Sequence, residues 1–172
     1  MKKLVGAISA ILVGALNFVF LSIANLLAKT TVGSTTSTAK WTAWEIIKDA
    51  DETWKNVNGY TFFKIFAIVG IVVSALLILA GVIALLKNLN VLKMKFNIEL
   101  VNAALLALFA LCAILVVVAL AIMSNDLSGE ALGIKVNYSP AVGAWLNLVF
   151  GVLGCACGLL ALGKAKSKKR RK

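Results

Sequence analysis

The stretch that decides the fold reads AVGAWLNLVFGVLGCACGLLALG and covers Ala141 to Gly163. It holds 23 residues without a charged side chain. As an α-helix, such a run can cross a hydrocarbon layer of about 30 Å. Small or polar residues recur in it every three or four positions, a spacing that places them on one helix face: Gly143, Asn147, Gly151, Gly154 and Gly158. Because a face without bulky side chains lets another backbone come close inside lipid, the segment predicts a membrane-spanning helix with a packing face.

Three further apolar stretches have spanning length, at about residues 4–28, 61–86 and 100–123. The chain is 61% hydrophobic and its mean hydropathy is +0.96, both well above the usage of soluble domains. The four stretches leave no segment long enough for a separate soluble core. The sequence therefore predicts an all-α protein, a single membrane domain (1–172) with four transmembrane helices in an antiparallel bundle.

The small-residue spacing of the last span recurs in the first two spans. In the first span the face includes Gly6, Ala10, Gly14 and Asn17, and in the second it includes Ala67, Gly70, Ser74, Gly81 and Ala84. A single such match is common by chance, but its recurrence predicts that these helices pack closely with each other or with copies of the chain.

The net charge of +11 is distributed unevenly between the two sides of the predicted spans. Twelve of the 18 basic residues lie at the two termini or in the turn after residue 86, where Glu99 is the only acid, and the other six face six acids. Since cytoplasmic loops are enriched in Lys and Arg, both termini are predicted to be cytoplasmic and residues 29–60 to form an outside loop. The Met-Lys-Lys start and the high lysine content predict a bacterial plasma membrane.

The two ends of the chain have further interpretations. At the N-terminus, the apolar run after Lys2 and Lys3 extends to Ala28, beyond the roughly 7–15 residues of a signal-peptide core. An uncleaved span is therefore expected, with cleavage after Ala24 or Ala28 as the alternative. The basic tail of residues 164–172 is predicted to lie against anionic lipid headgroups, each cation contributing about 1 kcal/mol. Without interleaved aromatic residues, nucleic acid is not a predicted partner. The tail cations are Lys164, Lys166, Lys168, Lys169, Arg170, Arg171 and Lys172.

The outside loop begins with a threonine-rich segment whose composition predicts a flexible linker. After it, four apolar side chains fit a helical stripe: Trp41, Trp44, Ile47 and Trp54. Thr42 and Glu45 have the spacing of a capping box, with Thr38 as the alternative N-cap. The pattern predicts a short amphipathic helix, either lying on the membrane with its tryptophans at headgroup level or docking an extracellular partner.

The layout of cytoplasmic ends, a longer first outside loop and a short cytoplasmic turn is similar to that of claudin-type four-span proteins. Those proteins carry a Gly-Leu-Trp triplet and two cysteines in that loop. Residues 29–60 contain neither, so the sequence assigns no family.

Catalytic, cofactor and metal sites are not predicted. The chain has no histidine, the usual base and the commonest metal ligand. Cys155 and Cys157 are two residues apart, so their thiols would point about 200° from each other on a helix. They are interpreted as small apolar side chains that fill an interface.

The intramembrane polar residues have two interpretations. Asn17, Asn102 and Asn147 either set the register between helices, at roughly 0.6–2 kcal/mol per hydrogen bond, or line a pathway. The function predicted from the sequence is non-enzymatic: a scaffold or assembly subunit that packs through its small-residue faces, as a homo-oligomer or with a membrane-protein partner. The alternative is a small channel or transporter subunit with an asparagine-lined pathway.

Overall fold

The computed structural model describes residues 2–49, 52–93 and 96–163. Along the chain the elements are α1 (Lys2–Leu21), β1 (Ala24–Val32), β2 (Thr35–Thr42), α2 (Ala43–Lys48), α3 (Tyr60–Asn88), α4 (Ile98–Leu127), β3 (Gly129–Ala131), β4 (Ile134–Pro140) and α5 (Val142–Gly163). The basic tail, Lys164–Lys172, lies outside the described residues, so its contact with lipid stays a prediction.

The prediction of four long apolar helices is confirmed. α1, α3, α4 and α5 are each long and apolar enough to cross a membrane. Large hydrophobic side chains are exposed along all four, such as Leu12 (54%), Leu79 (60%), Leu111 (51%) and Leu160 (73%). A water-soluble monomer rarely exposes so much contiguous apolar surface, whereas a lipid environment would cover it.

The first helix is shorter than predicted. α1 ends at Leu21, and its apolar part of 18 residues spans about 27 Å at 1.5 Å per residue. The residues that follow are also apolar, but they belong to β1, where Leu26 and Ala28 are buried at 0% and 3% exposure. The hydrophobic run predicted as one span therefore combines a membrane helix with the buried positions of a strand.

The prediction of an all-α protein is wrong, because the chain also forms a four-stranded antiparallel sheet with the order β2-β1-β4-β3. β1 pairs with β2 up to Val32↔Thr35, leaving only two residues to form the turn. Gly33 takes a φ of +59° there, a conformation that two-residue hairpin turns require. The threonine-rich segment is thus a β-hairpin, since β-branched side chains favour strands.

The two central strands are joined to helices with almost no intervening chain. β1 begins three residues after the end of α1, and α5 begins two residues after the end of β4. Asn25 is 2% exposed, and its Nδ2 donates to the carbonyl oxygens of Phe20 (2.9 Å) and Ile23 (2.7 Å). The backbone N–H of Ala141 donates to the carbonyl of Asn25 at 2.8 Å. These bonds hold the end of α1 beside the start of α5.

The described residues divide into two compact units. The helical unit comprises residues 2–17, 70–93, 96–111 and 149–163 and contains parts of all four long helices. The sheet unit comprises residues 18–49, 52–69 and 112–148 and contains the sheet, α2 and the remaining parts of those helices.

Each unit has its own buried side chains. The helical unit is centred on a hydrophobic cluster formed by Ala10, Val13, Val73, Leu77, Leu106 and Phe109. In the sheet unit, the fully buried side chains include Leu26, Ile46, Phe63, Leu120 and Met123.

Candidate functional site

Glycines in the helical unit lie where neighbouring helices come close. A Cβ added at Gly14 would lie 2.7 Å from the carbonyl oxygen of Ser74, and one at Gly81 would lie 3.0 Å from that of Ala7. Both distances are shorter than ordinary van der Waals contact. At these two positions α1 and α3 approach each other through backbone atoms, as closely as only glycine permits.

The last span makes comparable approaches in the same unit. A Cβ added at Gly154 would lie 2.6 Å from Val13 Cγ2, and one at Gly158 would lie 3.3 Å from the Cα of Ala103. A Cβ added at Gly6 of α1 would lie 3.0 Å from Ala161 Cβ of α5. Gly154 and Gly158 therefore face α1 and α4 of the same chain.

The remaining residues of the predicted packing faces differ in what surrounds them. Ala10, at 0% exposure, and Gly151 are buried. In the sheet unit, a Cβ added at Gly143 would lie 2.8 Å from the carbonyl oxygen of Phe20. Gly70 is different, because a Cβ added there would meet no atom within 4 Å.

The intramembrane polar residues of the helical unit form two local arrangements. In the first, Asn17 Nδ2 donates to Ser74 Oγ at 2.8 Å, and Ser74 Oγ donates to the carbonyl of Gly70 at 2.7 Å. Asn17 is 2% and Ser74 0% exposed. This buried bond joins α1 to α3.

The second arrangement lies around Asn102 in α4. Asn102 is 3% exposed, and its Oδ1 has no hydrogen-bond partner within the described residues. It lines a cavity of about 10 Å³ together with Glu99 and small residues of the other three long helices. Glu99 lies in the first turn of α4, 3.6 Å from Lys87 Nζ. A polar cavity of roughly 10–15 Å³ holds one water molecule.

Asn147, the third predicted asparagine, lies in the sheet unit. It is 7% exposed, and its Oδ1 also lacks a partner within the described residues.

The sheet unit carries a second cavity, which we call the aromatic pocket. Its cavity has a volume of about 390 Å³ and is lined by Trp41, Glu45, Lys48, Asp49, Thr53, Trp54, Leu127 and Tyr138. This volume falls within the roughly 300–1,000 Å³ typical of small-molecule sites.

The capping box predicted from the sequence is confirmed and positions one carboxylate of the pocket. Thr42 is the N-cap of α2, and its backbone N–H and hydroxyl donate to Glu45 Oε2 at 2.6 and 2.9 Å. The N–H of Glu45 donates back to Thr42 Oγ1 at 3.3 Å. These donors lower the pKa of Glu45, with the backbone N–H of Thr42 as the main cause. Glu45 is therefore ionised at neutral pH.

The chain after α2 turns back at Asp49. Asp49 is the C-cap of the helix, with a φ of +35°, and both of its carboxylate oxygens lie 3.2 Å from the backbone N–H of Trp54 that donates to them. The turn buries Trp54 at 6% exposure. A carboxylate and an indole ring are thereby placed on the same pocket wall.

Three aromatic rings from separate segments meet in the pocket. Trp41, at the end of β2, packs edge-on against Trp54, with ring centroids 5.4 Å apart and an interplanar angle of 84°. It stacks against Tyr138 of β4 at 5.9 Å and 18°. Such geometries are the preferred arrangements of aromatic pairs.

The four apolar residues predicted as one helical stripe belong to three different segments in the structure. Trp44 and Ile47 lie on α2 and are half-buried, whereas Trp41 belongs to β2 and Trp54 follows the helix. Trp41 and Trp54 are joined by ring contact rather than by helical periodicity. Tyr138 was missed because it comes from a strand almost a hundred residues away, which only the sheet brings near.

Within the described residues, no group of three His, Cys, Asp or Glu side chains could hold a metal ion. No protein-family model and no curated protein matches the chain. The geometry of the two units is therefore the basis for assigning a function.

Proposed function

We propose that this chain is a non-enzymatic scaffold or assembly subunit of a cell membrane, whose sheet unit is the surface that meets a partner. The observation that carries the proposal is the use of the glycine faces within the chain: Gly14, Gly81, Gly154 and Gly158 all face neighbouring helices of the same molecule. The small-residue faces thus serve to fix the spans, which leaves the sheet unit as the surface for association.

The sheet itself supports this assignment. β2 is an edge strand, and six of its eight residues, Thr35 to Lys40, are exposed. An edge strand presents backbone N–H and C=O groups to any chain that can pair with it. The partner we propose is a second copy of the chain or another membrane protein, added at β2.

The orientation is part of the proposal. The excess of Lys and Arg at the termini and in the turn after α3 favours a cytoplasmic location for both ends, which places the sheet unit outside the cytoplasm and the basic tail against anionic headgroups. In whole cells, a membrane-impermeant maleimide should label Ser37→Cys on β2. Labelling only after the cells are opened would overturn this orientation.

Association is tested at the β2 edge with the full chain in mild detergent. A photo-crosslinking amino acid at Ser37 should give an adduct heavier than the 18.2 kDa chain. The matched control is the same amino acid at Asn56, which is exposed but lies in the loop before α3. A single-chain mass together with no adduct at Ser37 would refute the scaffold role.

The pathway alternative has weaker support. The side chain of Asn17, one of the three predicted asparagines, is hydrogen-bonded to Ser74. The cavity at Asn102 is about 10 Å³, room for about one water molecule. Both observations favour register-setting. Proteoliposomes that conduct ions, with a flux altered by Asn147→Leu, would instead support the channel.

A further inference from the structure

The aromatic pocket combines ring faces with an excess of negative charge. Trp41, Trp54 and Tyr138 meet at its wall, and the carboxylates of Glu45 and Asp49 line the same cavity. Cations are attracted to aromatic faces within about 6 Å of the ring centroid, and quaternary ammonium groups are recognised this way. The rings and the two carboxylates together favour a positively charged ligand group.

The pocket also holds one cation of its own. Lys48 is exposed at the end of α2 and lines the cavity beside Asp49. An ammonium is a strongly hydrated point charge that binds phosphate well. The lining therefore offers sites of both signs, two carboxylates and one ammonium, which matches a ligand carrying a cation and an anion close together.

The location of the pocket indicates where such a ligand would come from. Leu127 is the last residue of α4, one of the four helices able to span a membrane, and it forms part of the lining. Trp54 lies six residues before α3, another such helix. Lipid headgroups lie at the level where spanning helices end.

We propose that the aromatic pocket binds an alkylammonium group carried next to a phosphate, the chemistry of a phosphocholine or phosphoethanolamine headgroup. The ammonium lies against Trp41, Trp54 and Tyr138, near the carboxylates of Glu45 and Asp49. The phosphate is paired with Lys48. The site takes Trp41 from β2 but none of the exposed residues Thr35–Lys40 that form the proposed partner edge, so it can stand or fall separately from the proposed scaffold role.

The direct test is calorimetric titration of the full chain in nanodiscs made only of phosphatidylglycerol. Phosphocholine or phosphoethanolamine should bind saturably, and sodium phosphate or glucose should not. Glucose is included because aromatic rings and carboxylates also bind sugars. Binding of glucose without phosphocholine or phosphoethanolamine, or of none of these ligands, would overturn the proposal.

Variants locate the binding. Trp41→Ala should weaken phosphocholine binding by roughly 2- to 30-fold, the range expected for a cation–π contact, and Trp41→Phe, which keeps a ring, should weaken it less. The matched control is Trp145→Ala, since Trp145 is 50% exposed on α5 and should bind as the wild type does. Equal loss in Trp41→Ala and Trp145→Ala would refute a pocket-specific contact.

Charge variants separate the two halves of the ligand. Lys48→Gln should weaken the binding of phosphocholine by roughly 2- to 5-fold, the range of an exposed ion pair. The binding of choline, which has no phosphate, should be unchanged. Lys55→Gln is the control, because Lys55 pairs with Glu52 at 3.3 Å. Glu45→Gln keeps a side chain suited to the capping box and should weaken both ligands. Choline binding that is insensitive to Glu45→Gln and Trp41→Ala would contradict the assignment of the ammonium.

The source of the ligand is settled by changing the lipid. If the headgroup of a neighbouring lipid occupies the pocket, soluble phosphocholine should bind in phosphatidylglycerol nanodiscs but not in phosphatidylcholine nanodiscs, where the lipid already fills the site. Unchanged binding in both lipids would identify a soluble ligand. Either result supports the same chemistry.

Discussion

Substituting alanine at two glycines of α3 tests whether the small-residue face holds the helical unit together. Gly81 and Gly70 lie in the same helix and are separated by eleven residues. A Cβ at Gly81 would lie 2.7 Å from Ile11 Cγ1, 3.0 Å from the carbonyl oxygen of Ala7 and 3.1 Å from the backbone nitrogen of Ile11. A Cβ at Gly70 would meet nothing within 4 Å. The methyl group added in Gly81→Ala therefore meets backbone atoms, whereas the one added in Gly70→Ala enters open space.

The magnitude follows from the distances. At Gly81 the nearest atom is 0.7 Å inside the 3.4 Å at which ordinary contact begins (3.4 − 2.7), and two of the three neighbours are backbone atoms. Overpacking of this kind typically costs about 1–3 kcal/mol. At Gly70, alanine brings no clash and gains up to about 1 kcal/mol of helix propensity. Gly81→Ala should therefore be less stable than Gly70→Ala by roughly 1–4 kcal/mol, the sum of the two effects.

The assay is reversible unfolding of each variant in mixed micelles with increasing SDS, followed by helical circular dichroism. Gly81→Ala should unfold at a lower SDS fraction than the wild type, and Gly70→Ala at the same or a higher one. If the two variants unfold together, α1 and α3 do not depend on this close approach. The interpretation of the glycines as packing residues would then be refuted.

Three further predictions concern single positions. Asn17→Leu should lower the free energy of unfolding by roughly 0.6–2 kcal/mol, because it removes the interhelical hydrogen bond to Ser74. Asn102→Leu should lower it less, because Asn102 Oδ1 has no partner within the described chain. SDS unfolding of the two variants measures the difference. Because the folded pKa of Glu45 is lowered from 4.5, its contribution to α2 should be present above that value and be lost as the pH falls through the folded pKa. Hydrogen exchange of the Glu45 amide checks this. After correction for the intrinsic rate, the exchange should become faster as the pH falls, and this transition should be absent in Glu45→Gln. Gly33→Val places a β-branched residue at a φ of +59°, which should cost about 1–2 kcal/mol and weaken protection of the hairpin amides; protection equal to the wild type would contradict the turn geometry.

The sequence predicted the membrane helices well because hydropathy over some 20 residues reports a strong, non-directional force. It failed where two environments share one composition. Residues 22–28 continue the uncharged, largely apolar run of the span before them, yet Leu26 and Ala28 are buried in a strand. Only the turn at Ser22, whose N–H donates to the carbonyl of Val19, ends the helix there, and no proline or glycine marks it.

The hairpin could have been predicted from the sequence. Gly33 and Ser34 separate two runs that are rich in threonine, a spacing and composition typical of a two-residue β-turn. Threonine is polar, which favours a linker, but it is also β-branched, and in this segment its preference for strands prevails. The second hairpin is harder to predict, because its turn places Leu132 at a φ of +52°, a conformation that such a residue rarely adopts.

The candidate site was predicted in part. Trp41 and Trp54 stood out as exposed-loop tryptophans, and Thr42 and Glu45 by their spacing. The contribution of Tyr138 depends on the pairing of β1 with both β2 and β4, which is a long-range contact. Sequence periodicity reports neighbours along one element, so it could not bring this ring to the pocket.

The near absence of linker between the central strands and the helices has a mechanical consequence. The linkers of two residues (22–23) and one residue (141) are held by the hydrogen bonds of Asn25 and Ala141, so they can lengthen little when β1 or β4 is pulled. Tension applied at the sheet edge would be carried straight into the ends of α1 and α5 and so into the lipid around them. Inserting a few glycines between Leu21 and Ala24 would cut that transmission while leaving the strands themselves intact.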